Sequence, residues 1–172
     1  MPTKKVATPS RSKDIIVSSV ISIAITIVFG YYFLYIGIKE RKPTFFVDPA
    51  RTTILDKSEA AHAPLLLLKA NGDTVRSDVT SGYFYFFNQG KETIRQENIY
   101  APLVVSLGDG ARILDYKILK EARAVSGIQL TLDSLSQTLG ITFNALEQDD
   151  GVAVQLIYEG DKNTAIHLAG GI

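Results

Sequence analysis

Two hydrophobic rhythms divide the chain. From Ile15 to Ile38 it reads IIVSSVISIAITIVFGYYFLYIGI, 24 residues without a charge. Beyond Pro43, apolar and polar positions alternate, mostly with a period of two. The first rhythm predicts a helix about 36 Å long, enough to cross a hydrocarbon core of about 30 Å with some tilt. A helix is also the one single segment that satisfies its own backbone groups there. Charges bracket the run: Lys13 and Asp14 precede it, and Lys39-Glu40-Arg41-Lys42 follow. Tyr31, Tyr32, Phe33 and Tyr35 gather near its second end, where amphipathic rings favour the membrane interface. A cleaved signal peptide would have a shorter apolar core and a small-residue site beyond it. Here YIGIKERKP follows instead. The pattern therefore predicts an uncleaved transmembrane anchor over 15–38, behind a basic tail at 1–14. A basic flank and linker at 39–43 lead to an extramembrane domain at 44–172.

In that domain Ile128, Leu130 and Leu132 share one strand face. Ile141, Phe143 and Ala145 share another, and Val152, Val154, Leu156 and Tyr158 a third. Further predicted strands are TFFV (44–47), TTIL (52–55), LLLLK (65–69), YFYFF (83–87), LVVSL (103–107) and AIHL (165–168). Asn71-Gly72 is a strong hairpin signal, and Asp149-Asp150-Gly151 is read in the same way. Asp109-Gly110 follows LVVSL, and Asn88-Gln89-Gly90 ends the aromatic run. Residues 111–124 fit either a helix or a strand, with the strand favoured for the first half. LDSLSQTL (132–139) is expected to carry a short helical turn between strands. Strands spaced by roughly 8–12 residues point to a mainly β domain. The expected form is an antiparallel β-sandwich, immunoglobulin-like, with a small β-barrel as the alternative.

Charge sharpens the division. The whole chain is neutral, with 18 bases and 18 acids. Residues 1–42 nevertheless carry seven bases against two acids, and residues 43–172 eleven against sixteen. The anchor region is thus net positive by five and the domain net negative by five. An acidic domain lacks the electrostatic footprint of a nucleic-acid binder. The absence of cysteine excludes disulfides and thiolate chemistry. Bases flank both ends of the span, so the positive-inside rule nearly ties. The short basic tail tips it toward a cytoplasmic N-terminus, with the domain on the extracytoplasmic side.

Two surfaces stand out as candidates. Ser18, Ser22, Thr26 and Gly30 recur every four residues, a stripe of small or hydroxylated side chains on one helix face. Such stripes let helices approach closely, so the span is expected to self-associate or dock on another membrane helix. The alternative is that the hydroxyls bond back to their own helix. In Tyr83-Phe84-Tyr85-Phe86-Phe87 aromatics occupy both strand faces. Tyr83, Tyr85 and Phe87 form either a covered outer face or a surface for a protein partner.

No catalytic constellation can be assembled from the sequence. His62 falls in SEAAHAP and His167 between Ile166 and Leu168, neither beside a nucleophile. Glu147, Asp149 and Asp150 are dense, but turn chemistry accounts for them, and the calcium-loop spacing is missing. GDG at 108–110 lacks the Lys-Ser/Thr of a phosphate loop. No metal or cofactor site is expected, and the domain is read as non-catalytic.

The segments YFYFFNQGKETIRQENIYAPLVVSL, ARILDYKILK and LGITFNALEQDDGVAVQLIYEG carry a resemblance. They resemble uncharacterised bacterial proteins that place one N-terminal membrane helix before a small β domain. The Asn-x-Gly turn after an aromatic strand is also similar to that of immunoglobulin-like accessory domains. The resemblance implies a β-sandwich in a bacterial membrane protein, and no active-site residue. The resulting expectation is a membrane-anchored binding module with the bilayer and a protein, or a second copy, as partners. Two alternatives stay open. One is a ligand-gated effector resembling those of bacterial antiphage systems, whose β domain senses a nucleotide messenger. Its small-molecule ligand would need convergent bases, for example Arg76, Arg95, Arg112 and Arg123. The other is a membrane-tethered hydrolase working through surface carboxylates.

Overall fold

A computed structural model describes residues 11–37, 39–60, 72, 74, 75 and 77–172. His62, Arg76, Asn71 and the predicted strand at 65–69 lie outside the described residues. The chain divides into two compact units between Lys39 and Glu40.

The first unit holds α1 (Arg11–Gly37). Its stretch Ile15–Gly37, 23 residues, is long and apolar enough to cross a membrane, and none of it is buried. A helix apolar on every side and uncovered by protein has lost the amphipathic pattern of a soluble surface helix.

The second unit is mainly β. In chain order it comprises β1 (Pro43–Val47), β2 (Thr52–Leu55), a single helical turn α2 (Lys57–Ala60), β3 (Val79–Asn88), β4 (Ile94–Arg95), β5 (Ala101–Leu107), β6 (Arg112–Glu121), β7 (Gln129–Asp133), β8 (Thr138–Thr142), β9 (Ala145–Leu146), β10 (Gly151–Glu159) and β11 (Ile166–Gly171). One sheet runs β1-β3-β10-β6, with β2 also paired to β3. A second runs β11-β5-β8-β7, and β4 pairs with β9 in a short ribbon. Every pairing is antiparallel.

Alternation explains how the sheets meet. Phe84 and Phe86 of β3 face inward with Val152, Val154, Leu156 and Tyr158 of β10. They join Leu103 and Val105 of β5 and Leu139 and Ile141 of β8 in one buried cluster. Two sheets sharing one core make a sandwich-like layer pair, and neither sheet closes, so the barrel alternative is set aside. Burying one such phenylalanine side chain stabilises the fold by roughly 2–3 kcal/mol.

Three local readings are corrected. The segment LDSLSQTL forms no helical turn: β7 and β8 are a hairpin with a four-residue turn at 134–137. Residues 111–124 are strand for longer than expected, since β6 runs unbroken to Glu121. Its second half hides its period because β6 is an edge strand with two register shifts against β10, which leave Ile118 and Leu119 exposed. The Asp149-Asp150-Gly151 turn is not a hairpin. It carries the chain from β9, which pairs with β4, into β10 of the large sheet.

The stretch before β1 is fastened to the domain. Glu92 N donates to Glu40 O at 3.2 Å, and Gln89 N donates to Lys42 O at 2.9 Å. Asn88, fully buried, is the clasp. Its Oδ1 accepts from Lys42 N (3.3 Å) and Gly90 N (3.0 Å). Its Nδ2 donates to Glu92 O (2.8 Å) and Leu146 O (3.1 Å). A side chain at Gly90 would lie 2.1 Å from Glu40 O, so the two backbones touch where only glycine fits.

Candidate functional site

Strand alternation sends Tyr83, Tyr85 and Phe87 to the outer face of the large sheet, each partly exposed. Their cross-strand neighbours extend that face. Thr44 pairs with Phe87 and Phe46 with Tyr85 on β1, while Gly151 and Ala153 lie opposite Phe87 and Tyr85 on β10. The Phe46 and Tyr85 rings meet at 5.9 Å between centroids. Small residues on β10 beside large ones on β1 and β3 leave a depression of about 490 Å³. Phe46, Tyr85 and Phe87 wall one side, and Lys120 and Asp149 stand on its rim. Phe46, on the edge strand β1, is 51% exposed. The sequence marked Tyr83, Tyr85 and Phe87. It did not mark Phe46, because the pairing of β1 with β3 is a long-range fact.

The acidic cluster has a different role. The Arg123 guanidinium grips Asp150 with two bonds, Nε to Oδ1 at 2.6 Å and Nη2 to Oδ2 at 2.5 Å. It also reaches Glu147 at 2.9 Å. The Asp150 side chain is 3% exposed and also accepts from Glu147 N at 2.9 Å. Arg123 hydrogen bonds hold the Asp150 carboxyl below the usual carboxylate range, against the opposing effect of burial. Asp150 is therefore a structural anchor of the turn, and Asp149 stays on the rim.

A carboxylate depressed in the folded state stabilises the fold above about pH 4, and loses that effect as pH falls through its lowered value. Acid titration of the urea midpoint should show a drop below about pH 4, and Asp150→Asn should flatten it. An unchanged acid slope in the variant would contradict this role.

At the other end of the large sheet lies a polar cleft of about 420 Å³. Asp109, Arg112, Glu159 and Asp161 line it. Two of these acids make local bonds: Glu159 accepts from the Ser77 hydroxyl, and Asp161 accepts from Asn163 N at 2.7 Å.

Two of the arginines proposed for an anionic ligand, Arg112 and Arg123, are not brought together. Arg112 opens the ten-residue β6, and Arg123 lies two residues past its end. Roughly 30 Å of strand separates them. Arg95 is exposed on β4 near Glu97, at 3.8 Å. His167 is exposed on β11, paired in register with Ser106 of β5. In α1, Ser18 Oγ donates to Ile15 O at 2.9 Å and Thr26 Oγ1 to Ser22 O at 2.8 Å. The Ser18 and Thr26 hydroxyls of the stripe thus bond back to their own helix, while Gly30 has open space around it. Among the described residues no group of three or more His, Asp or Glu is placed to hold a metal ion. No known protein family, curated protein or solved structure matches the chain.

Proposed function

We propose that this chain is a single-pass membrane protein whose immunoglobulin-like β domain is a non-catalytic binding module. Its binding surface is the outer aromatic face of the large sheet. One observation carries the reading: a sheet face with a depression walled by Phe46, Tyr85 and Phe87 stands open in a domain whose inner faces share one buried core. Exposed aromatic surfaces of this kind mark interaction sites. The apolar Ile15–Gly37 helix supports the anchor, and the basic tail supports a cytoplasmic N-terminus with the domain outside. The carboxylate-lined cleft is where the alternative, a membrane-tethered hydrolase, would place its acid and base.

Benzoylphenylalanine placed at Tyr85 of the full chain, irradiated in membranes, should form adducts. The same probe at Leu135, which is 98% exposed on the β7–β8 turn, should form few. Equal yields at the two positions would refute the aromatic face as the binding surface.

A further inference from the structure

We infer that the aromatic face docks on the bilayer surface itself, with anionic lipid headgroups as its ligand. The inference rests on the membrane-anchored reading above and names the partner of that same face. Three observations converge on it.

The first is the tether. Gly37 ends the described helix, and Glu40 is already hydrogen-bonded into the β domain. Two residues join them, and three backbone steps reach at most about 11 Å. So short a lead keeps Glu40, where the domain begins, within about 11 Å of the end of the described helix.

The second is which end of the sheet the lead enters. The chain arrives at Pro43, which pairs with Asn88. Thr44, Phe87 and Gly151 lie in the next register row. The mouth of the depression is therefore at the tethered end of the sheet, and the polar cleft is at the other end.

The third is chemistry. Tyrosine and phenylalanine beside lysine is the composition of an interfacial surface, with rings at the acyl boundary and ammonium groups among phosphates. Lys117 and Lys120 are exposed on β6 and pair with Gln155 and Ala153 of the same outer face. Exposed Lys42 adjoins the face at its tethered end. Asp149 is the acid on the rim, while Asp115 and Glu159 lie farther along the same face, opposite Ile157 and Arg112. The end of the face that the lead enters thus carries Lys117 and Lys120 against Asp149, whereas Asp115 and Glu159 lie toward the other end.

The test uses the full chain, whose lack of cysteine makes single labels clean. Thr44→Cys, Leu135→Cys and Ile25→Cys each receive an environment-sensitive fluorophore. The protein is placed in nanodiscs of phosphatidylcholine, with or without about one-third phosphatidylglycerol, carrying a lipid-bound quencher. The Thr44 label should be quenched in the anionic discs at least about threefold more than the Leu135 label. Lys117→Glu with Lys120→Glu should abolish most of that difference. Quenching at Ile25 reports the span independently. Quenching at Ile25 but not at Thr44 would overturn the docking while leaving the anchor intact. No quenching at Ile25 would overturn the anchor and the docking together. A Thr44 label shielded from aqueous quencher, yet untouched by the lipid quencher, would mean a protein occupant and would also overturn the docking.

Discussion

Asn88→Ala should lower the unfolding free energy of the β domain by about 3–5 kcal/mol, with loss of both a buried amide and its partners' bonds. The side chain makes four hydrogen bonds, to Lys42, Gly90, Glu92 and Leu146, from a fully buried position. Alanine leaves those backbone groups unpaired where water cannot readily replace the amide. Urea unfolding of the full chain in non-ionic detergent, read by the β circular-dichroism signal, measures the loss. The neighbouring exposed Gln89→Ala serves as the near-neutral control. A second readout follows from geometry. Asn88 clasps the backbone just after Arg41, so the variant should become more sensitive to trypsin at Arg41. Equal midpoints for the two variants would remove Asn88 from its assigned role.

Gly151→Ala should cost roughly 3 kcal/mol or more, because a close-packed strand pair must separate to admit one methyl group. An added Cβ would lie 2.3 Å from Phe86 O and 2.4 Å from Phe87 Cβ. Both atoms belong to β3, the strand with which β10 pairs over nine residues. The contrast is Gly30 in α1, where an added methyl meets nothing within 4 Å. Gly30→Ala should leave the same urea midpoint unmoved. Tolerance of Gly151→Ala would mean that Gly151 does not lie opposite Phe87 in the pairing of β3 with β10.

Period-two alternation made individual strands legible, and little more. TTIL (52–55) coincides with β2, and Ile128–Asp133 lies over β7 with its apolar face correctly assigned. The split of Tyr83–Phe87 into a buried pair and a partly exposed trio also follows from alternation alone. What alternation cannot show is which strand lies beside which. Phe46 became part of the aromatic face only through β1 pairing with β3, a strand distant in sequence. Asn88 looked like a turn residue because two of its four bonds are local, while the other two reach the segment before β1 and the β9 strand. Asp150 looked like half of an Asp-Gly turn because its partner, Arg123, lies 27 positions away. The edge strand β6 blurred its own period, since bulges and one-sided exposure remove the constraint that keeps a buried strand alternating. The stripe on α1 was visible at once, and the hydroxyls of Ser18 and Thr26 in it bond to their own helix.

The membrane-spanning anchor with a β domain on its far side is tested most directly by labelling single cysteines in sealed membrane vesicles of known orientation. Lys13→Cys and Leu135→Cys flank the Ile15–Gly37 helix, and Ile25→Cys lies within it. A membrane-impermeant maleimide should reach Leu135→Cys only from the extracytoplasmic side and Lys13→Cys only from the cytoplasmic side. It should reach Ile25→Cys from neither. Labelling of Lys13→Cys and Leu135→Cys from one and the same side, or ready labelling of Ile25→Cys from water, would contradict the spanning anchor. Labelling of the two flanking sites from opposite but exchanged sides would retain the span and reverse the domain's placement.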